Sequence, residues 1–153
     1  MGIFDELEAQ YEEIDNQYAS AEFEARTKGW NNKEQQYQKK RELNDQAYFL
    51  FMFSRLEDRI RIQSADLITK KQTSIQSWRQ RAAWDILPST SREDYPFKKR
   101  LALLTEKGGT DYSLVLDYYK ERNAIAHGGS FTRPISMPTV ITELKRLYLV
   151  LKA

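Results

Sequence analysis

The apolar residues of this chain return at steps of three and four, and no stretch alternates with the period of two that a half-buried strand requires. Phe4, Leu7, Tyr11, Ile14, Tyr18, Ala21 and Ala25 set the pattern. It predicts an amphipathic helix from Ile3 to about Arg26, ended by Gly29 and the Asn31-Asn32 pair. A second, longer helix is expected from Lys33 to about Ala65, with Phe49, Met52 or Phe53, Leu56 and Ile60 as its apolar stripe. Its first part, KEQQYQKKRELNDQ, is polar on nearly every side, so that half is expected to project beyond the core or to pack only on a partner chain.

Later elements follow from their punctuation. A third helix is expected over Thr73 to Ile86, before a loop at Pro88 to Ser91. Ser91, with Asp94 three residues on, resembles a capping box opening a short helix that ends near Lys107, ahead of Gly108-Gly109. Thr110 or Asp111 can cap the next helix, which carries Leu114, Leu116, Tyr118, Ile125 and Ala126 and stops at Gly128-Gly129. SFTRPISMP is a loop by its two prolines, and Pro138 stands in the first turn of a last helix through Val140, Leu144, Leu147 and Leu151. The expected architecture is an all-α bundle of five or six helices forming one domain over residues 1–153.

With no cysteine and a single histidine, the 153 residues exclude disulfides, thiolate metal sites and multi-histidine zinc or iron centres within one chain. No cofactor is expected. The start, MGIFDE, lacks the basic-then-apolar order of a secretory signal, and no apolar run approaches a membrane span, so a cytoplasmic protein without membrane contact is expected. Residues 1–26 hold eight acidic side chains against Arg26 alone, leaving a net charge of +9 on the rest. A basic body of that kind suits a polyanionic ligand, with the acidic helix turned away from it or shielding it. Arg55, Arg59, Arg61, Lys70, Lys71, Arg79, Arg81 and the Lys98-Lys99-Arg100 run are candidates for a phosphate-tracking surface, although solvated helix faces explain most of them equally well. Trp30, Trp78 and Trp84 can stack bases, but burial is the commoner use of tryptophan.

The one histidine lies in KERNAIAHGG, residues 120–129. Histidine before glycines is an ordinary way to end a helix, because a cation interacts well with the last carbonyls. It is also the side chain whose unperturbed pKa lies nearest neutrality, suited to acid and base work. Asn123 and His127, four apart, share a helix face, with Arg122 rotated beside them. Those three residue types have a clear use on RNA. A guanidinium binds the phosphate and stabilises its growing charge, an imidazole moves the 2′-hydroxyl or leaving-group proton, and a carboxamide orients the imidazole or a substrate hydroxyl.

Arg122, Asn123 and His127, near the end of the penultimate helix of an all-α chain, resemble the R-x4-6-H motif of HEPN domains, with a polar residue after the arginine. FSRLEDRI on the long second helix is similar to the family's earlier helix, where an acidic residue often faces the active site; Glu57 holds that place here. The resemblance implies a metal-independent endoribonuclease leaving a 2′,3′-cyclic phosphate and a 5′-hydroxyl, acting as a homodimer in which two motifs meet. It implies a toxin or phage-defence effector, with RNA as substrate and an antitoxin or regulatory protein as a further partner. The alternative is a non-catalytic HEPN-like module that dimerises or binds RNA or protein. Toxins of this family paired with a nucleotidyltransferase antitoxin often carry a tyrosine two residues after the histidine, as acceptor of the silencing modification. Gly129 stands there, so control by that route is not expected.

Overall fold

The computed structural model describes residues 2–153, and among these every regular element is a helix. The chain is an all-α bundle with the order α1 (Asp5–Thr27), α2 (Asn31–Ser74), α3 (Trp78–Asp85), α4 (Phe97–Leu104), α5 (Thr110–Ala126) and α6 (Met137–Val150). No helix among the described residues is long and apolar enough to cross a membrane.

Three boundaries differ from expectation. The second helix does not stop near Ala65 but continues to Ser74, because its buried stripe runs on through Ile60, Ser64 and Ile68 with no glycine or proline to break it. The third helix accordingly starts at Trp78 rather than Thr73. Ser91 and Asp94 cap nothing, and α4 begins only at Phe97. Tyr95 precedes a proline, which disfavours helical backbone there, and Pro96 itself is the extended N-cap residue at φ −55°, ψ 131°.

Two units are distinguished within the chain: Met1–Phe53 with Glu121–Lys145, and Ser54–Lys120 with Arg146–Ala153. In the first, Phe4 at the N-cap of α1 and Tyr11 and Ala25 within it are buried with Phe49, Met52 and Phe53 of α2 and Met137, Val140, Ile141 and Leu144 of α6. The polar opening half of α2 was expected to project or to pack only on a partner chain; instead, from Glu34 on, it is engaged with α1, with Arg26 Nε 2.7 Å from Glu34. Arg41 reaches both Asp15 and Glu22 at 3.0 Å, and the Tyr11 hydroxyl donates to Asp45 at 2.7 Å. A helix that looks polar all round can pack when each polar group meets a partner across the interface. The acidic charge of α1 is likewise met at its start, where Lys145 of α6 binds Glu8 and lies 3.3 Å from Asp5.

The Glu22 and Asp45 carboxyls are shifted in opposite directions. The hydrogen bond from Arg41 holds the Glu22 carboxyl below its ordinary value, so its stabilisation is present above pH 4.5 and is lost as the pH falls through the depressed value. Burial pushes Asp45 above its ordinary value despite the Tyr11 hydroxyl. The folded chain therefore binds that proton more tightly than the unfolded one, and the Asp45 charge costs stability at neutral pH. Asp45→Asn, which keeps an acceptor for Tyr11, is expected to raise Tm at neutral pH. That gain should shrink as the pH drops through the raised value, which paired thermal melts over an acid-to-neutral series measure.

In the second unit, Leu56, Ile60 and Ile68 of α2 are buried with Leu101 of α4, Val115 and Tyr118 of α5, and Leu147 and Leu151 at the C-terminal end. Phe97 stacks on Tyr119 with centroids 4.4 Å apart. Arg100, 2% exposed, donates to Ser64 Oγ at 3.1 Å and to the carbonyls of Thr90 at 3.1 Å and Glu93 at 3.0 Å. It is an internal strut for the segment before α4, not part of a phosphate surface. Arg59 is similarly committed, to the Leu151 carbonyl at 3.1 Å and the Tyr148 ring. The unit nonetheless carries fifteen Lys and Arg against nine Asp and Glu, whereas the first carries nine against thirteen.

Candidate functional site at the end of α5

The backbone at the end of α5 is closed by two glycines. Gly128 takes a left-handed conformation at φ +85°, its N–H bonds the carbonyl of Ile125 at 3.0 Å, and the Gly129 N–H bonds that of Ala124 at 3.0 Å. This pair of bonds is a Schellman cap, and it makes His127 the last residue before the chain reverses. The His127 N–H still bonds the Asn123 carbonyl at 3.1 Å, so the imidazole stays one turn above Asn123 while its side chain is exposed. His127 therefore ends the helix and is presented to solvent.

Arg122 and Asn123 are half-buried, and the guanidinium donates from Nη1 to the Asn123 carboxamide oxygen at 3.1 Å. The Asn123 carboxamide oxygen thus fixes the guanidinium's direction, and the Asn123 NH2 is a donor for a further group.

Glu57 belongs to the other unit. The resemblance gives it the place of the acidic residue that faces the site; it is buried and pairs with Arg61 one turn on, at 3.3 Å. Among the described residues no group of three or more His, Asp or Glu side chains is arranged to hold a metal ion.

The residue that sequence reasoning passed over is Glu121, beside the motif arginine. It is 1% exposed, accepts the Thr132 N–H at 2.8 Å and the Thr132 hydroxyl, and has Arg133 Nε at 3.8 Å. Phe131 meets Phe49 edge to face at 5.3 Å between centroids, a second anchor for the same loop. The sequence held a signal for this: Val115 and Tyr118 are buried, and Glu121 is the next position of that stripe. A carboxylate on an apolar stripe needs internal donors, and the loop after His127 supplies them. Glu121→Gln replaces one acceptor oxygen by an NH2 facing those donors. It is expected to cost about 1–3 kcal/mol in urea unfolding and to speed hydrogen exchange at the Thr132 amide.

Gly129 also has a structural reason. A Cβ there would lie 2.8 Å from the Ala124 carbonyl oxygen that the cap uses. Any side chain at this position pushes against backbone, so Gly129→Tyr is expected to open the cap and lower Tm by several degrees, read by differential scanning calorimetry.

No family model, curated protein sequence or solved structure matches this chain.

Proposed function

We propose that the chain is a metal-independent endoribonuclease acting as a homodimer, with Arg122, Asn123 and His127 of both copies forming one composite site, in the manner of a toxin or phage-defence effector. The observation that carries this is the Arg122–Asn123 hydrogen bond of 3.1 Å with an exposed His127 held one turn further on. Arg122 stabilises the phosphorane, Asn123 keeps the guanidinium oriented, and His127 transfers the proton. The 2′-oxygen attacks phosphorus as its proton passes to His127. The 5′-oxygen leaves with a proton from the partner's His127, giving a 2′,3′-cyclic phosphate and a 5′-hydroxyl.

One imidazole cannot be both base and acid in the same in-line step, and the sequence holds only one, so two-fold symmetry supplies the second. Its exposed position at a helix end suits a site completed by another chain. The test is incubation of mixed RNA with the pure protein in EDTA, beside Arg122→Ala and His127→Ala, with the fragment ends identified and the solution mass measured. Cleavage that both variants lose, by a dimer, supports the reading. A strictly monomeric protein, or equal cleavage by all three, overturns it.

A further inference from the structure

Helix α3 is eight residues long and buries none of them, yet it is firmly attached. Gln72 Nε2 at the end of α2 donates to the carbonyls of Trp84 at 2.8 Å and Leu87 at 3.2 Å. Arg81 donates to the Ile75 carbonyl at 3.1 Å and pairs with Asp85 at 3.0 Å. These bonds close the turn between α2 and α3 through polar groups, so Trp78 is not consumed in holding it, while Trp84 is half-buried. Trp78 is left 66% exposed and Ile86 83% exposed.

Cations accompany the indoles. The Arg79 guanidinium lies 5.5 Å from the centre of the Trp78 ring, and Lys71 lies 5.9 Å from that of Trp84. Between residues 70 and 86 the chain has Lys70, Lys71, Arg79 and Arg81 against Asp85 alone, within a unit whose bases outnumber its acids fifteen to nine. Exposed indole with flanking cations is the combination that binds single-stranded nucleic acid: the ring offers a face to a base and the cations meet the backbone phosphates. An interfacial membrane helix uses a far longer apolar face than two turns supply. A protein partner explains the apolar side chains but not the excess of positive charge.

We propose that the α2–α3 turn, with Trp78 as stacking platform and Lys70, Lys71 and Arg79 as phosphate contacts, is a docking surface for single-stranded nucleic acid. It does not depend on cleavage, because binding and catalysis are read separately. Trp30 is a built-in control: it is 44% exposed and lies under two ammonium groups, Lys28 at 4.6 Å and Lys33 at 4.4 Å, but belongs to the unit where acids are in excess.

The experiment uses the full chain carrying His127→Ala, so that no substrate is cut, and the fluorescence anisotropy of a labelled oligouridylate of about 12 nucleotides. Adding Trp78→Ala is expected to weaken binding roughly 5- to 100-fold, the range for losing one stacked base. Trp78→Phe should restore most of the affinity, Trp30→Ala should leave it unchanged, and Arg79→Ala should flatten the salt dependence. Trp78 is exposed, so these proteins should keep the parent's melting curve. A duplex of the same length should compete poorly. Equal affinity with and without Trp78, an equal loss from Trp30→Ala, no oligonucleotide binding, or Trp78-dependent binding to phosphatidylserine vesicles instead would each overturn the proposal.

Discussion

Alanine at position 127 is expected to slow RNA cleavage by about 10²–10⁴-fold, the usual contribution of a positioned proton-transfer group, while leaving Tm within about a degree of the parent. The split between activity and stability follows from where the side chain stands. The structural work at the end of α5 is done by backbone: the His127 N–H bonds Asn123, and Gly128 and Gly129 close the cap. Alanine keeps all three bonds, so a fall in rate with an unchanged melt reports chemistry rather than folding. Arg122→Ala should lose about 10²–10³-fold, as for removal of one donor to a developing oxyanion. Asn123→Ala should lose less, since its carboxamide oxygen acts through the Arg122 guanidinium. The proposed composite site has a stoichiometric signature. When wild-type and His127→Ala chains are mixed in equal amounts and allowed to exchange, activity should fall to about a quarter if each site needs both histidines, and to about half if each chain works alone. A residual of half would remove the dimeric mechanism even if His127 proves essential.

The largest loss of stability is expected from Arg100→Ala, about 3–5 kcal/mol in urea or guanidinium unfolding. Arg100 sits among Ser64, Thr90 and Glu93 with almost no exposure, and its donors satisfy two loop carbonyls and a hydroxyl of α2. Truncation opens a cavity the length of an arginine stem and strips those acceptors of their donors at once. Arg100→Lys refills the stem with a single ammonium and should recover part of the loss, because one nitrogen cannot serve three acceptors in the fork geometry of guanidinium. Burial pushes the Arg100 pKa down, yet such a group stays charged at any ordinary pH, so this loss should be the same at neutral and mildly alkaline pH. A loss below about 1 kcal/mol would mean that the segment between Pro88 and Pro96 does not depend on this strut.

Helix identity was legible in the sequence wherever an apolar stripe and a terminal signal coincided. Gly29 and Gly128 both take the left-handed conformation their positions suggest, at φ +71° and +85°, and Pro138 stands in the first turn of α6. What failed was local chemistry read without its partners. Ser91 and Asp94 have the residue types of a capping box, but Pro96 dictates where a helix can begin. KEQQYQKKRELNDQ was expected to project or to pack only on a partner chain, whereas the partners of its Arg41, Asp15 and Glu22, lie one helix earlier in the chain. Three tryptophans were weighed as core residues, yet none is fully buried and Trp78 is the most exposed of them.

The sequence by itself determined that the chain is all-α and that Arg122, Asn123 and His127 ride together on one helix end, because helical spacing and glycine's backbone freedom are local properties. Only the tertiary structure decided which polar groups are spent inside. Glu121 and Arg100 turn inward to satisfy loop backbone, and Glu57 is buried beside Arg61, while Trp78 is left in solvent. The reason is that a buried polar group must find donors or acceptors wherever the fold brings them, and the separation between Arg100 and Thr90, or Glu121 and Thr132, carries no periodic signal a sequence can display.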